Sequence, residues 1–258
     1  MPDPESEKPP ALAEAGSHWF EAMADFMGPS YLRYSFTKGT SQEVAFLMDA
    51  VPIEPGMILL DVGCGPGRHS LSFAGHGVHT VGVDISQTFV DLANLDAERR
   101  GLGEVARFER GDARDLQFDH YFDVVISLCQ GGFGLVGRPE DGAADATVLD
   151  GMARALKRGG RLVVSAFSAY FMLRHLEDND LFDAATGVNH ERTELRDGTT
   201  QTREVDLWTT CFTPRELQLL VERSGLRLLN LWSVTPGLYA PNAPVVNAPE
   251  FLVIAEKL

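Results

Sequence analysis

The chain has 258 residues, 44% of them hydrophobic, enough to bury one large core together with a covering segment. A formal net charge of −15 and a pI near 4.8 repel phosphate backbones and anionic lipid surfaces, so neither nucleic acid nor a membrane is an expected partner. Three scattered cysteines, Cys64, Cys129 and Cys211, form neither a CxxC pair nor a disulfide framework, which predicts a reducing cytoplasm and no bound metal.

Residues 1–10, rich in proline and acid, read as a disordered tail without a signal-peptide pattern, and no apolar run approaches the ~18 residues of a membrane span. One domain is expected over 11–258. From Ala11 to Asp49 apolar and aromatic residues recur at helical spacing (Trp19, Phe20, Met23, then Val44, Phe46, Leu47), broken at Gly28-Pro29 and at Lys38-Gly39-Thr40. This pattern predicts two or more helices ahead of the first strand, a helical lid over 11–50.

A regular alternation follows: strand Met57 to Val62, a glycine turn, a helix to about Ala74, strand His79 to Val83, and helix Phe89 to Gly101. A short strand near Ala106 to Glu109, strand Asp123 to Leu128, helix Ala143 to Lys157 and strand Arg161 to Ala166 continue it. Such alternation predicts a doubly wound α/β sheet, mostly parallel, that binds its ligand at the carboxyl ends of the strands. Over 167–212 the alternation stops, and Asp197-Gly198 between polar, Thr-rich runs predicts an inserted β-hairpin beside the mouth of the site. Thr213-Pro214-Arg215-Glu216 starts a helix that Gly225 ends, and strands Leu226 to Val234 and Glu250 to Glu256 close the chain.

The first strand runs into Asp61-Val62-Gly63-Cys64-Gly65-Pro66-Gly67, whose glycines let the backbone bend sharply and let a ligand lie against it. A dinucleotide fold would want G-x-G-x-x-G, but position 68 is arginine and the turn starts behind an acid. A pyrophosphate gains from positive potential at a helix N-terminus, whereas an ammonium and a sulfonium gain from a nearby negative charge, and Asp61 suits the latter. The second strand ends at Asp84, 23 positions later, close to the ~20-residue offset of a carboxylate that binds ribose hydroxyls. Gly111-Asp112-Ala113 follows the third strand.

Asp61, Gly63, Gly65 and Gly67 match, position for position, the D-x-G-x-G-x-G motif of class I S-adenosylmethionine-dependent methyltransferases, and the chain resembles that family from about residue 45 to 166. The resemblance implies a seven-stranded, Rossmann-like methyltransferase fold with its last strand antiparallel between two neighbours. S-adenosylmethionine is the implied cofactor, held by Asp61, Gly63, Cys64, Gly65 and Gly67, by Asp84 on the ribose, by Ile85 against the adenine, by Asp112 and Ala113 on its amine, and by Leu128. The N-P-P-Y or D-P-P-Y tetrapeptide of base and amide nitrogen methylases is absent after the fourth strand, where Cys129-Gln130-Gly131-Gly132-Phe133 stands instead. Gln130 and Phe133 are therefore candidates for orienting a different acceptor, and Cys129 is read as a small buried hydrophobe without covalent work.

Methyl transfer needs a bare, oriented nucleophile, and positioning can supply ~7–11 kcal/mol of the barrier. Tyr31 or Tyr34 is expected to close over the cofactor, with Lys38 or Thr40 meeting its carboxylate, and Tyr34, Phe133 and Tyr239 to wall the acceptor. His69, directly after the glycine turn, and His190, in the insertion, are the candidate proton acceptors. The expected activity is methyl transfer to oxygen, nitrogen or carbon of a small-molecule acceptor, with a homodimer left open. The alternatives are a non-catalytic S-adenosylmethionine-binding module and a nicotinamide-dependent oxidoreductase.

Overall fold

The computed structural model describes residues 18–129, 131–135, 137, 144–197, 199 and 201–258. The expected tail over 1–10, Gln130 and Gly198 lie outside them. No helix among the described residues is long and apolar enough to cross a membrane.

Five strands run parallel in the order β3 (Ala106–Arg110), β2 (His79–Asp84), β1 (Ile58–Val62), β4 (Phe122–Ser127) and β5 (Leu156–Ser168). β10 (Glu250–Lys257) then runs antiparallel between β5 and β9 (Leu226–Val234), which completes the seven strands of the expected fold. Leu60, Val62, Val125, Leu162, Val164, Phe251 and Val253 share one buried cluster, while the alternate residues Leu59, Val124, Ile126, Val163, Leu252 and Ile254 share another. Period-2 side chains thus bury both faces of the sheet, which is why these strands read as near-continuous apolar runs. α3 (Arg68–Gly75), α4 (Gln87–Arg99), α5 (Ala144–Ala155) and α7 (Pro214–Arg223) cover the sheet. α7 opens with the expected capping box: the Thr213 hydroxyl accepts from the Glu216 amide and the Glu216 carboxylate from the Thr213 amide. Strand order reverses between β1 and β4, the crevice where open α/β sheets take ligands.

Between β5 and α7 the insertion has three strands rather than the two of the expected hairpin. β6 (Asp180–Asp183), β7 (Val188–Arg196) and β8 (Thr202–Phe212) pair antiparallel, and the end of β8 meets the tip of β5 in parallel, joining all ten strands. β6 carries the short acidic sequence Asp180-Leu181-Phe182-Asp183, too brief for an alternation signal, and it is held partly by Asn189 donating to Asp180 at 2.7 Å. A short helix, α6 (Ala169–Arg174), separates it from β5. At the other end of the chain α1 (Trp19–Met27) packs Trp19 on Trp208 at 5.6 Å, with the Arg203 guanidinium 4.7 Å above Phe26, so the N-terminal helix touches the insertion. α2 (Thr40–Ala50) lies on the sheet through Val44 and Leu47.

Candidate active site

Two adjoining cavities of about 430 and 460 Å³ open over the tips of β1, β2, β3 and β4, and both reach Phe20, Gly63, Asp84, Gly131 and Leu135. Their common floor is the glycine turn. The Gly63 and Cys64 amides donate to the Val83 carbonyl at 2.7 and 3.1 Å, docking the turn on β2. Gly63 has φ +71°, and a Cβ there would lie 1.9 Å from the Gly131 carbonyl carbon, so this position has no room for a side chain. Gly67, also at positive φ, caps α3 and packs against Phe108 without lining either cavity.

Asp84 stands at the shared rim. One carboxylate oxygen accepts from the Gly65 amide at 2.7 Å and the other from Ser86 at 2.8 Å, while burial pushes its carboxyl up to about 6. Beside it, the first cavity is lined by Ile85, Gly111, Asp112 and Ala113, together with His18. Burial raises Asp112, but Arg114, which donates to both carboxylate oxygens, and the charge of His18 bring it below the usual carboxylate range. Its acceptor capacity is therefore shared with a neighbour on its own turn.

Asp61 is placed differently from the expected direct contact. It is buried behind the turn, takes the Ser70 hydroxyl at 2.6 Å, and does not line either cavity. Burial lifts it to about 6 against the Ser70 hydrogen bond and the Arg68 charge. Its hydrogen bond ties α3 to the end of β1.

The second cavity is lined by Tyr31, Cys64, Gly65, Arg68, His69, Phe89, Leu128 and Cys129. Tyr31 sits 4.9 Å from Phe89 by ring centroids, and burial keeps its phenol protonated well above the ordinary range. Arg68 is the residue the sequence passed over. Its Nη1 donates to Thr40 at 2.8 Å and Glu43 at 3.0 Å, and the guanidinium also meets the Cys129 thiol, while buried Nη2 has no geometric hydrogen-bond partner among the described residues. Lys38 is exposed and Thr40 accepts from Arg68, and neither lines the second cavity, whereas Arg68 does. Nothing in a string of letters shows that the first residue of α3 turns back over α2.

His69 donates through Nε2 to fully buried Glu43 at 2.7 Å. Burial and the Arg68 charge hold the imidazole down to about 4, so it is neutral at pH 7 and too weak a base for the proton-accepting role expected of it. Burial raises Glu43, but the His69 and Arg68 contacts and the Gly237 amide outweigh it and leave the acid below its usual range. Cys129 adopts φ +51°, an uncommon backbone for a side-chain residue, and burial pushes its thiol up to about 12. Glu43, His69 and Cys129 bring their ligand atoms within 4.8 Å of one another. The Arg68 guanidinium already supplies positive charge to the same Glu43 oxygen.

Four other expected residues lie elsewhere. Phe133 is 1% exposed and stacks on Phe212 at 4.8 Å and 14°, a core pair rather than an acceptor wall. Tyr34 stacks on Phe36, and its hydroxyl accepts weakly from the Arg196 amide at 3.5 Å, bridging to the insertion. His190 hydrogen-bonds Asp206 at 2.8 Å and stacks on Trp208 at 4.8 Å, outside the lining of both cavities. Tyr239 is buried, and Cys129, Glu43 and Glu250 act on its hydroxyl electrostatically.

The residues fit S-adenosylmethionine as a group. A zwitterionic amino-acid end needs a cationic donor and a nearby negative charge, which Arg68 Nη2 and Asp61 behind the turn provide, and a ribose diol needs an acceptor, which Asp84 provides. Residues 53–212 match the family model described as a methyltransferase domain. The chain is 30% identical over 181 residues to a sterol 24-C-methyltransferase of Gibberella zeae, covering 67% of this chain and 42% of that protein. It is 37% identical over 117 residues to the cypemycin N-terminal methyltransferase of a Streptomyces species, covering 45% and 44%. In three dimensions it is similar to the CcbJ methyltransferase of Streptomyces caelestis, with a TM-score of 0.69 at 19% identity over 85% of this chain and 89% of that one. The chain spans less than half the length of these two curated relatives.

Proposed function

The chain belongs to the class I S-adenosylmethionine-dependent methyltransferases, and from that premise we propose that it transfers a methyl group to a small-molecule acceptor entering beside Cys129. The observation that carries this reading is the presence in one cleft of Arg68, whose buried Nη2 has no hydrogen-bond partner among the described residues, and a buried carboxylate, Asp84, on either side of the glycine turn.

When bound, the cofactor supplies a methyl group on a sulfonium for in-line displacement. Asp84 accepts from the ribose hydroxyls, Ile85 and Ala113 flank the adenine, and Asp112 accepts from its amine. Arg68 grips the carboxylate, and Tyr31 with Phe20 shuts water out. The N-terminal helices act as the lid and the inserted sheet bounds the mouth. Among the described residues at the methyl end, neither titratable group offers a strong base at neutral pH: His69 is held near 4 and Cys129 near 12. Catalysis rests on positioning, which suits an acceptor that arrives already nucleophilic.

Calorimetric titration tests the cofactor assignment. S-adenosylhomocysteine binds the wild type, nicotinamide dinucleotides do not, and Arg68→Met weakens the former ~10–100-fold through loss of a charge-assisted pair. Transfer of isotope from labelled S-adenosylmethionine into small acceptors separates an enzyme from a binding module. The reverse ligand preference, or an unchanged affinity in Arg68→Met, refutes the assignment.

A further inference from the structure

Glu43 joins three elements that are far apart in sequence. One oxygen accepts from Arg68 and His69 at the start of α3, and the other accepts from the Gly237 amide at 2.8 Å, in the segment between β9 and β10. The neighbouring Gln42 clamps the same segment twice, accepting from the Tyr239 amide and donating to its carbonyl, both at 2.8 Å. Backbone meets backbone there: a Cβ on Gly39 would lie 2.1 Å from the Gly237 Cα. Beyond the clamp the Tyr239 side chain is buried, and its hydroxyl feels the charge state of Cys129, a residue lining the cavity at its methyl end.

We propose that Glu43 is a positioning residue that couples filling of the cofactor cavity to placement of the Gly237–Tyr239 segment on the acceptor side. The inference rests on the reading that Arg68 Nη2 takes the cofactor carboxylate. An anion on Nη2 immobilises the guanidinium, the guanidinium fixes one Glu43 oxygen, and the other oxygen then holds Gly237 in place. Only a carboxylate of this length accepts at both ends. Glutamine can accept at one end and must present a donor to a donor at the other, so Glu43→Gln keeps the shape and breaks the link.

Hydrogen exchange of the Gly237 and Tyr239 amides, with and without saturating S-adenosylhomocysteine, tests the coupling, and calorimetry confirms saturation. In the wild type the ligand slows Gly237 exchange by about tenfold or more. In Glu43→Gln the ligand still binds, more weakly, and leaves Gly237 exchange unchanged. Gln42→Ala, which leaves Glu43 intact, exchanges faster at Tyr239 but keeps the ligand-dependent slowing at Gly237, a difference that a merely structural role would not produce. The wild type and Gln42→Ala decide the matter even if Glu43→Gln does not fold. Ligand binding without any change at Gly237 in the wild type overturns the coupling alone. Retained slowing in Glu43→Gln, or its loss in Gln42→Ala, does the same, whereas failure of the ligand to bind the wild type overturns the cofactor reading together with it.

Discussion

The two ends of the cleft handle charge in opposite ways. At the rim shared by the two cavities Asp84 is buried with only backbone amides as partners, and its carboxyl is pushed up to about 6. Behind Arg68 in the second cavity Glu43 is also buried, but Arg68, His69 and the Gly237 amide compensate it and its carboxyl falls below the ordinary range. An acid left under-compensated is held ready for a ligand, whereas one surrounded by protein partners is committed to holding the structure together. The same contrast separates Phe133, locked in a core stack, from Tyr31, packed at the cavity wall.

The largest expected effect comes from treating a core residue as a site residue. Phe133→Ala removes a ring stacked on Phe212 and should cost ~3–5 kcal/mol of stability in urea denaturation, with the loss of binding following from unfolding. A neutral stability would return Phe133 to the acceptor wall.

A smaller effect is expected at Asp84. Asp84→Asn should weaken S-adenosylhomocysteine binding by ~1–3 kcal/mol in calorimetry, since the amide keeps one acceptor where the carboxylate had two. The pH dependence carries the sign. Because the free-state carboxyl sits above its ordinary value, the ligand that needs the ionised form must displace a proton below about pH 6. Affinity should be flat above neutrality and fall by up to ~tenfold per unit below the midpoint for each acid involved. Asp84→Asn should retain only the share of Asp61, which also titrates near 6. An unaltered profile would mean that the Asp84 carboxylate never meets the ligand.

The smallest effect is expected on the inserted sheet. His190→Ala loses a partly exposed contact with Asp206 and a stack on Trp208, and should change stability by only ~1 kcal/mol with cofactor affinity intact. A large drop in turnover at unchanged affinity would bring His190 back as a proton acceptor.

Much of the cofactor end can be read along the chain, because it is built from contiguous stretches at strand tips: 61–67, 84–86 and 111–113 each carry their turn, acid and neighbour together. The capping box of α7 is equally local. β6 escaped because a four-residue strand with mixed burial has no period to detect.

Sequence alone thus determined the α/β class, the glycine turn and the acids flanking it, since each depends on backbone geometry within a few residues. Only the tertiary structure decided that Arg68 rather than Lys38 faces the cleft, that Asp61 stands behind the turn, that Phe133 belongs to the core, and that Glu43 ties α2 to both α3 and the Gly237 segment. These outcomes depend on which face of a helix meets which strand tip. That choice is made by packing the whole sheet, where one buried carboxylate finds partners 25 and 194 positions away.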